Sequence, residues 1–194
     1  MGDGLLTLFL CGDVMTGRGV DQVLPYPGDP ELRERYAGDA RAYVRLAERA
    51  NHWGSNWGYG VGPDQVRFAR RLIDGGVDLI HGHSSHHPGP VEVFGGKLVL
   101  YGCGDCINDY EGITGHERYR GDLRLLYFAS LHPGTGALAA LRMAPLQARN
   151  LRLHRAPQAD ARWLATAVER ASSRFGSLVG LRPDGLLALR SGPS

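Results

Sequence analysis

The chain opens on a continuous apolar run, Leu5 to Cys11, and passes at once into Gly12-Asp-Val-Met-Thr-Gly-Arg-Gly19. A strand-length apolar run that stops at turn residues predicts a buried strand with a loop at its carboxyl end. From Leu24 to Asp39 proline, glycine and charge break any period, leaving a loop with a short helix at Pro30 to Tyr36. Ala40 to Ala50 then spaces Ala42, Val44, Leu46 and Ala47 as a helix does. Asn51 to Tyr59 has no period; small, aromatic and hydrogen-bonding residues mixed in one loop often carry function. Pro63-Asp64-Gln65 starts a helix to about Asp74, with Val66, Phe68, Ala69, Leu72 and Ile73 inward and Gly75-Gly76 ending it.

Val77, Leu79 and Ile80 predict a strand buried in a parallel sheet, running into Gly82-His-Ser-Ser-His-His-Pro88. Leu98 to Tyr101 is another buried strand and enters the polar turn Gly102 to Gly112, which offers Asp105, Asn108, Asp109 and Glu111. After Asp122 the pattern changes. Leu123 to Leu131 and Ala137 to Met143 flank Pro133-Gly-Thr-Gly136 as an antiparallel hairpin, and Asn150 to Arg155 alternates like a half-exposed strand. Asp160 is placed to cap a helix running to about Phe175, with Trp163, Leu164, Ala167, Val168 and Ala171 on one side, and Gly185 to Arg190 closes as a short strand. The fold class that follows is α/β (α+β).

The length, 194 residues, suits one domain with a sizeable core, and 43% hydrophobic with 22% charged residues is a globular balance. A net charge of +2 gives no argument for nucleic acid, and Arg149, Arg152 and Arg155 read as a solvated face. The opening apolar run is too short to span a bilayer and has no basic segment before it, so neither signal peptide nor anchor is expected and the expected location is cytoplasmic. Three cysteines fit a reducing compartment, and Cys103-Gly-Asp-Cys106 has redox or zinc spacing without a second such pair.

Chemistry concentrates in the loops. Four of the eight histidines, His81, His83, His86 and His87, lie around the strand end after Ile80, with His83 and His86 the most ligand-like pair. Neutral imidazole is the commonest metal ligand, and strand carboxyl ends line the crevice of open α/β sheets. Local hydrogen bonding of those imidazoles is the competing reading. Asp13 is the first polar side chain after the opening strand, able to hold a cation or to cap a turn; Arg18 offers a fork to an anion; His52 is a further ligand or a histidine packed beside Trp53.

Gly12-Asp13-Val-Met-Thr-Gly-Arg18, His52-Trp53-Gly54, Gly82-His83-Ser-Ser-His86 and Leu100-Tyr-Gly-Cys-Gly-Asp105 together resemble the CapA family of capsule or poly-gamma-glutamate synthesis proteins, built on the calcineurin-like metallophosphoesterase fold. The resemblance implies one domain over residues 1–194, a metallophosphoesterase-like β-sandwich flanked by helices and shortened between about residues 20 and 50. By position it assigns Asp13, His52, His83 and His86 as metal ligands, Asp13 and His52 as catalytic, and Arg18, Asn56, His87 and Asp105 as substrate-binding. His87 is also an alternative ligand, because Ser84 and Ser85 stand where the family loop has His-Pro. Cofactors implied are one or two divalent cations, manganese, iron or zinc. The family's central Asn-Leu-Glu and Asn-Asn-His blocks are not found intact, and only about thirty residues separate Arg18 from His52, roughly one βαβ unit.

Three functions are consistent with this reading. The first is a metal-dependent hydrolase of a phosphoester or related bond, linked to capsule or polyglutamate synthesis. The second is a non-catalytic accessory that binds metal or an anionic polymer. The third is a shortened relative that folds with a partner or as a homo-oligomer, because lost strands expose sheet edges.

Overall fold

The computed structural model describes residues 4–14, 54–108, 114–150 and 152–190. The helices expected at 30–36 and 40–50 lie outside the described residues, as do Arg18 and His52. The elements are β1 (Leu6–Leu10), β2 (Asp13–Val14), α1 (Pro63–Asp74), β3 (Leu79–His81), β4 (Val91–Phe94), β5 (Lys97–Leu100), β6 (Asp105–Ile107), β7 (Leu123–Leu131), β8 (Leu138–Arg149), β9 (Arg152–Arg155), α2 (Gln158–Ser172), β10 (Leu178–Leu181) and β11 (Leu187–Arg190).

Three sheets form. The largest is antiparallel in the order β1-β7-β8-β11-β10, with β9 also on β8; β3-β5-β4 makes a second, with β3 parallel to β5; β2 runs parallel to β6. Mixed sheets with two helices make an α+β fold, consistent with the shortened sandwich expected from the sequence. Alternation along β5 joins its layers. Leu98 and Leu100 enter the main core with Leu123, Leu125, Tyr127, Met143 and Leu164, whereas Val99 and the following Tyr101 enter a second core with Ala69, Ile73 and Ile80. Each such fully buried aliphatic side chain contributes about 1.5–3 kcal/mol.

Helix α1 has the bounds its punctuation predicts, Pro63 opening it and Gly75 donating back to Arg71 O at 2.9 Å. Its buried stripe is narrower than expected, since Ala69 and Ile73 are buried but Phe68 is 54% exposed. The opening strand also differs. The sequence predicts it buried, but among the described residues β1 pairs with β7 alone, and Leu6 and Phe9 are half exposed. At the second helix Pro157, not Asp160, occupies the N-cap; Asp160 lies in the first turn and accepts from Arg120 Nη1 at 3.0 Å. Among the described residues no helix is long and apolar enough to cross a membrane.

Strand β4 carries a buried carboxylate, Glu92, which accepts from Arg70 Nη2 (2.6 Å) and from the Tyr101 hydroxyl (2.6 Å), tying α1 to the β3-β5-β4 sheet. A hydrogen bond to a charged group is worth about 1.5–3 kcal/mol net. Glu92→Gln keeps one oxygen for Tyr101 and loses the ionic pairing, and because Arg70 is 42% exposed the cost belongs at the lower end of that range. Urea unfolding measures it; an unchanged midpoint would contradict this account.

Candidate functional site

The carboxyl ends of β1, β3 and β5 meet in one cluster of loops. Parallel pairing of β3 with β5 brings the loops after both strands to the same edge, where backbone hydrogen bonds lock them: Gly82 N to Leu100 O (2.6 Å), Cys103 N to Gly82 O (3.1 Å) and Gly89 N to Gly102 O (2.7 Å). The loop after β1 joins them as β2 pairs with β6, placing the Asp13 backbone in register with Asp105. Glycine makes this closeness possible. A Cβ on Gly12 would overlap the Gly104 carbonyl, and one on Gly82 would meet Tyr101 O at 2.7 Å. His81 Nε2 bonds the Cys11 carbonyl at 2.8 Å, fastening β3 to the end of β1.

Within this cluster His86 Nδ1 donates to Asp105, 3.1 Å from Oδ2 and 3.3 Å from Oδ1. That partner selects the tautomer with the lone pair on Nε2. The Asp105 side chain is 2% exposed, and Arg124, equally buried, brings Nη2 to 3.9 Å of Oδ2 while Nη1 donates to the Gly121 carbonyl. Burial alone would push the Asp105 carboxyl up; hydrogen bonds from His86 and Asn108, with the charges of His86 and Arg124, outweigh it and hold the carboxyl below its usual value. The result is a fixed carboxylate behind an imidazole, the arrangement that fixes the orientation of the ring.

The loop 54–60 covers one side. His86 N donates to the Asn56 carbonyl at 3.0 Å, so the contribution of Asn56 here comes through its backbone. The Trp57 ring lies 5.3 Å from the His86 ring and stacks on His116 at 4.3 Å and 5°.

The four loop histidines take different roles. His87 is fully buried, its Nδ1 bonding Pro88 O (3.1 Å) and its Nε2 accepting from Gly58 N (3.1 Å), and it stacks on Tyr119 at 4.8 Å. Both ring nitrogens are committed, and burial first of all lowers its pKa, so packing explains this residue without a ligand. His83 lies close enough to His81 to depress its pKa, although burial is the larger cause there. Cys103 and Cys106 are buried thiols; burial pushes Cys106 up to about 11 and Cys103 higher still, the opposite of a reactive or metal-binding thiolate.

Among the described residues no three His, Cys, Asp or Glu side chains gather in a metal-coordinating group. His86 with its Nδ1–H on a carboxylate has the orientation of a metal-ligating histidine. A single oriented imidazole is less than a metal site, and of the other assigned donors His52 and the Asp13 side chain lie outside the description. Asp105, expected at the substrate, holds His86. Sequence reasoning missed Arg124, although a lone guanidinium in the second position of an apolar strand was a readable signal.

The model of the family described as "Bacterial capsule synthesis protein PGA_cap" matches residues 49–110, the span holding loop 54–60, the histidine loop and Asp105. A probable polyglutamine synthesis accessory protein of Mycobacterium tuberculosis, in strains CDC 1551 and H37Rv, is 51% identical over 166 residues, covering 82% of this chain and 43% of the relative. The PGA biosynthesis protein CapA of Bacillus subtilis (strain 168) is 30% identical over 110 residues, 57% of this chain and 28% of that protein. The chain belongs to the CapA capsule-synthesis family. This CapA-family chain spans less than half the length of the curated relatives it matches. The matched span holds both His86 and Asp105.

Proposed function

We propose that this chain acts in the synthesis of a capsule or polyglutamate-type polymer and that its loop cluster is a hydrolytic centre for a phosphoester or related bond. The observation that carries the reading is His86 held by buried Asp105 inside the family-matched span. With Nδ1–H committed to Asp105, His86 Nε2 is the atom that takes a proton from an attacking water or delivers one to a leaving oxygen. General acid–base help of this kind contributes about 10²–10⁴-fold. Asp13, His52 and His83 stay donors proposed for one or two divalent cations, manganese, iron or zinc; His86, assigned with them by the resemblance, has only Nε2 left to give a metal, and the proton-carrying role proposed here takes that nitrogen instead.

The test is hydrolysis of a phosphodiester model substrate by protein titrated with manganese, with metal content measured per chain. Wild type is expected to turn over, and His86→Ala to lose about 10²-fold or more with its fold intact by circular dichroism. A wild type that binds no metal and cleaves nothing would reject the hydrolase. It would favour a non-catalytic accessory role, in line with the mycobacterial relative's name as an accessory protein.

A further inference from the structure

A second feature lies on the large sheet, away from the loop cluster. Strand β11 pairs with β8 only through Leu187↔Met143 and Ala188↔Arg142. Continued antiparallel register would bring Leu189 and Arg190 beside Leu141 and Ala140, but the ladder ends before them. Leu138 to Arg142, Leu189 and Arg190 line the resulting groove of about 570 Å³, none of whose lining residues belongs to the loop cluster. On its β11 side β8 therefore has no ladder partner among the described strands at residues 139–141, while on its other edge β7 pairs with Ala140 and Leu141 and the register shifts past Ala139.

Charge reinforces shape. Arg142, Arg182 and Arg190 all line the groove and all are exposed. Among the described residues the acid near them is Asp184, which accepts from Arg182 Nε at 3.0 Å and feels the charge of Arg142. Gly180 has no side chain, and the Arg190 guanidinium lies across its backbone. Three guanidiniums against one carboxylate leave an excess of positive charge beside an apolar floor and an unpaired strand edge. Such an edge takes an extended chain by main-chain hydrogen bonds, and guanidinium forks select carboxylates bidentately.

We propose that the groove between β8 and β11 binds an extended polyamide bearing carboxylates, an acidic glutamate-type chain held by its amides along β8 and by its carboxylates on Arg142, Arg182 and Arg190. This rests on the polymer reading above and adds a holding site separate from the loop centre. Fluorescence anisotropy of the 194-residue chain with fluorescein-labelled oligoglutamates, α- and γ-linked, tests it, with neutral oligoglutamine as the comparison. The expected result is saturable binding of one or both oligoglutamates that weakens with salt, with oligoglutamine bound at least about tenfold more weakly. Arg142→Gln/Arg190→Gln should weaken the complex by about tenfold or more, whereas Arg149→Gln/Arg152→Gln, on the β8–β9 turn, should not. Melting curves confirm that both variants fold.

Absence of binding by wild type, equal binding of oligoglutamine, or the same loss in both double variants would overturn the groove. Phosphodiester hydrolysis without oligoglutamate binding would sink the groove alone. Binding without hydrolysis would sink the loop centre alone.

Discussion

Asp105→Ala is expected to destabilise the fold by about 3 kcal/mol or more, because it removes a carboxylate from beside a guanidinium that is itself 2% exposed. Desolvation is the reason for the size. Arg124 has left water on folding, and the Asp105 carboxylate lies 3.9 Å from its Nη2; once that is gone, the burial penalty stays while part of the compensation is lost. Urea unfolding of four proteins tests the argument: wild type, Asp105→Ala, Arg124→Met, and the double variant. If the pair is coupled through burial, the double variant is more stable than the sum of the two single losses requires, since replacing both charges with apolar groups is often nearly neutral. Strict additivity would show that the two side chains do not share a charge environment.

The same substitution should alter the acid limb of stability. The folded Asp105 carboxyl lies below its ordinary value, so the folded state binds that proton less readily than the unfolded chain does. The contribution is therefore present above about pH 4, the ordinary carboxyl value, and is lost as pH falls through the depressed folded value. Asp105→Asn should flatten that part of the stability curve while leaving its neutral plateau lower than wild type.

Local periodicity and punctuation decided how much of this was legible beforehand. The bounds of α1 followed from Pro63 and Gly75, the β7–β8 hairpin from its Pro-Gly-Thr-Gly turn, and β3 and β5 from short apolar runs ahead of polar loops. Strand β4 was invisible because Glu92 interrupts Val91-Glu-Val-Phe94, and only the partners Arg70 and Tyr101, brought by the fold, make a carboxylate acceptable there. Strand β10 hid behind Gly180, whose value lies in admitting the side chain of Arg190. Residues of β1 are apolar enough for a core, yet where a strand stands within a sheet is a tertiary outcome that its own composition does not encode.

The site was legible as residue types but not as pairs. His86 and Asp105 were both singled out, but their 19-residue separation gives no local signal that one would hold the other. His87 looked as much like a ligand as its neighbour does. What separates them is that the ring of His87 points into the Tyr59, Tyr119 and Trp57 cluster, where both nitrogens are consumed by backbone groups.

The other large effect is expected at Gly104, and a matched control isolates its cause. Gly104 and Gly176 share the same left-handed backbone, φ 72° in each. An alanine at either position carries the same conformational penalty, about 1–2 kcal/mol. Their surroundings differ. A Cβ on Gly176 would meet nothing within 4 Å, whereas one on Gly104 would lie 2.9 Å from His87 C and 2.9 Å from Pro88 N. Those are backbone atoms of the histidine loop, which cannot swing aside as a flexible side chain would, so overpacking adds about 1–3 kcal/mol. Gly176→Ala should therefore lose only the conformational part, and Gly104→Ala about twice as much or more. Because Gly104 directly precedes Asp105 and packs against the loop that carries His86, relief of the clash should part the two side chains. The hydrogen-bonded His86 Nδ1–H resonance in proton NMR reports that separation: it should persist in Gly176→Ala and shift or vanish in Gly104→Ala. Equal losses of stability in the two variants, with the resonance unmoved in both, would mean that the three loops are not pressed together as the Gly12, Gly82 and Gly104 approaches require.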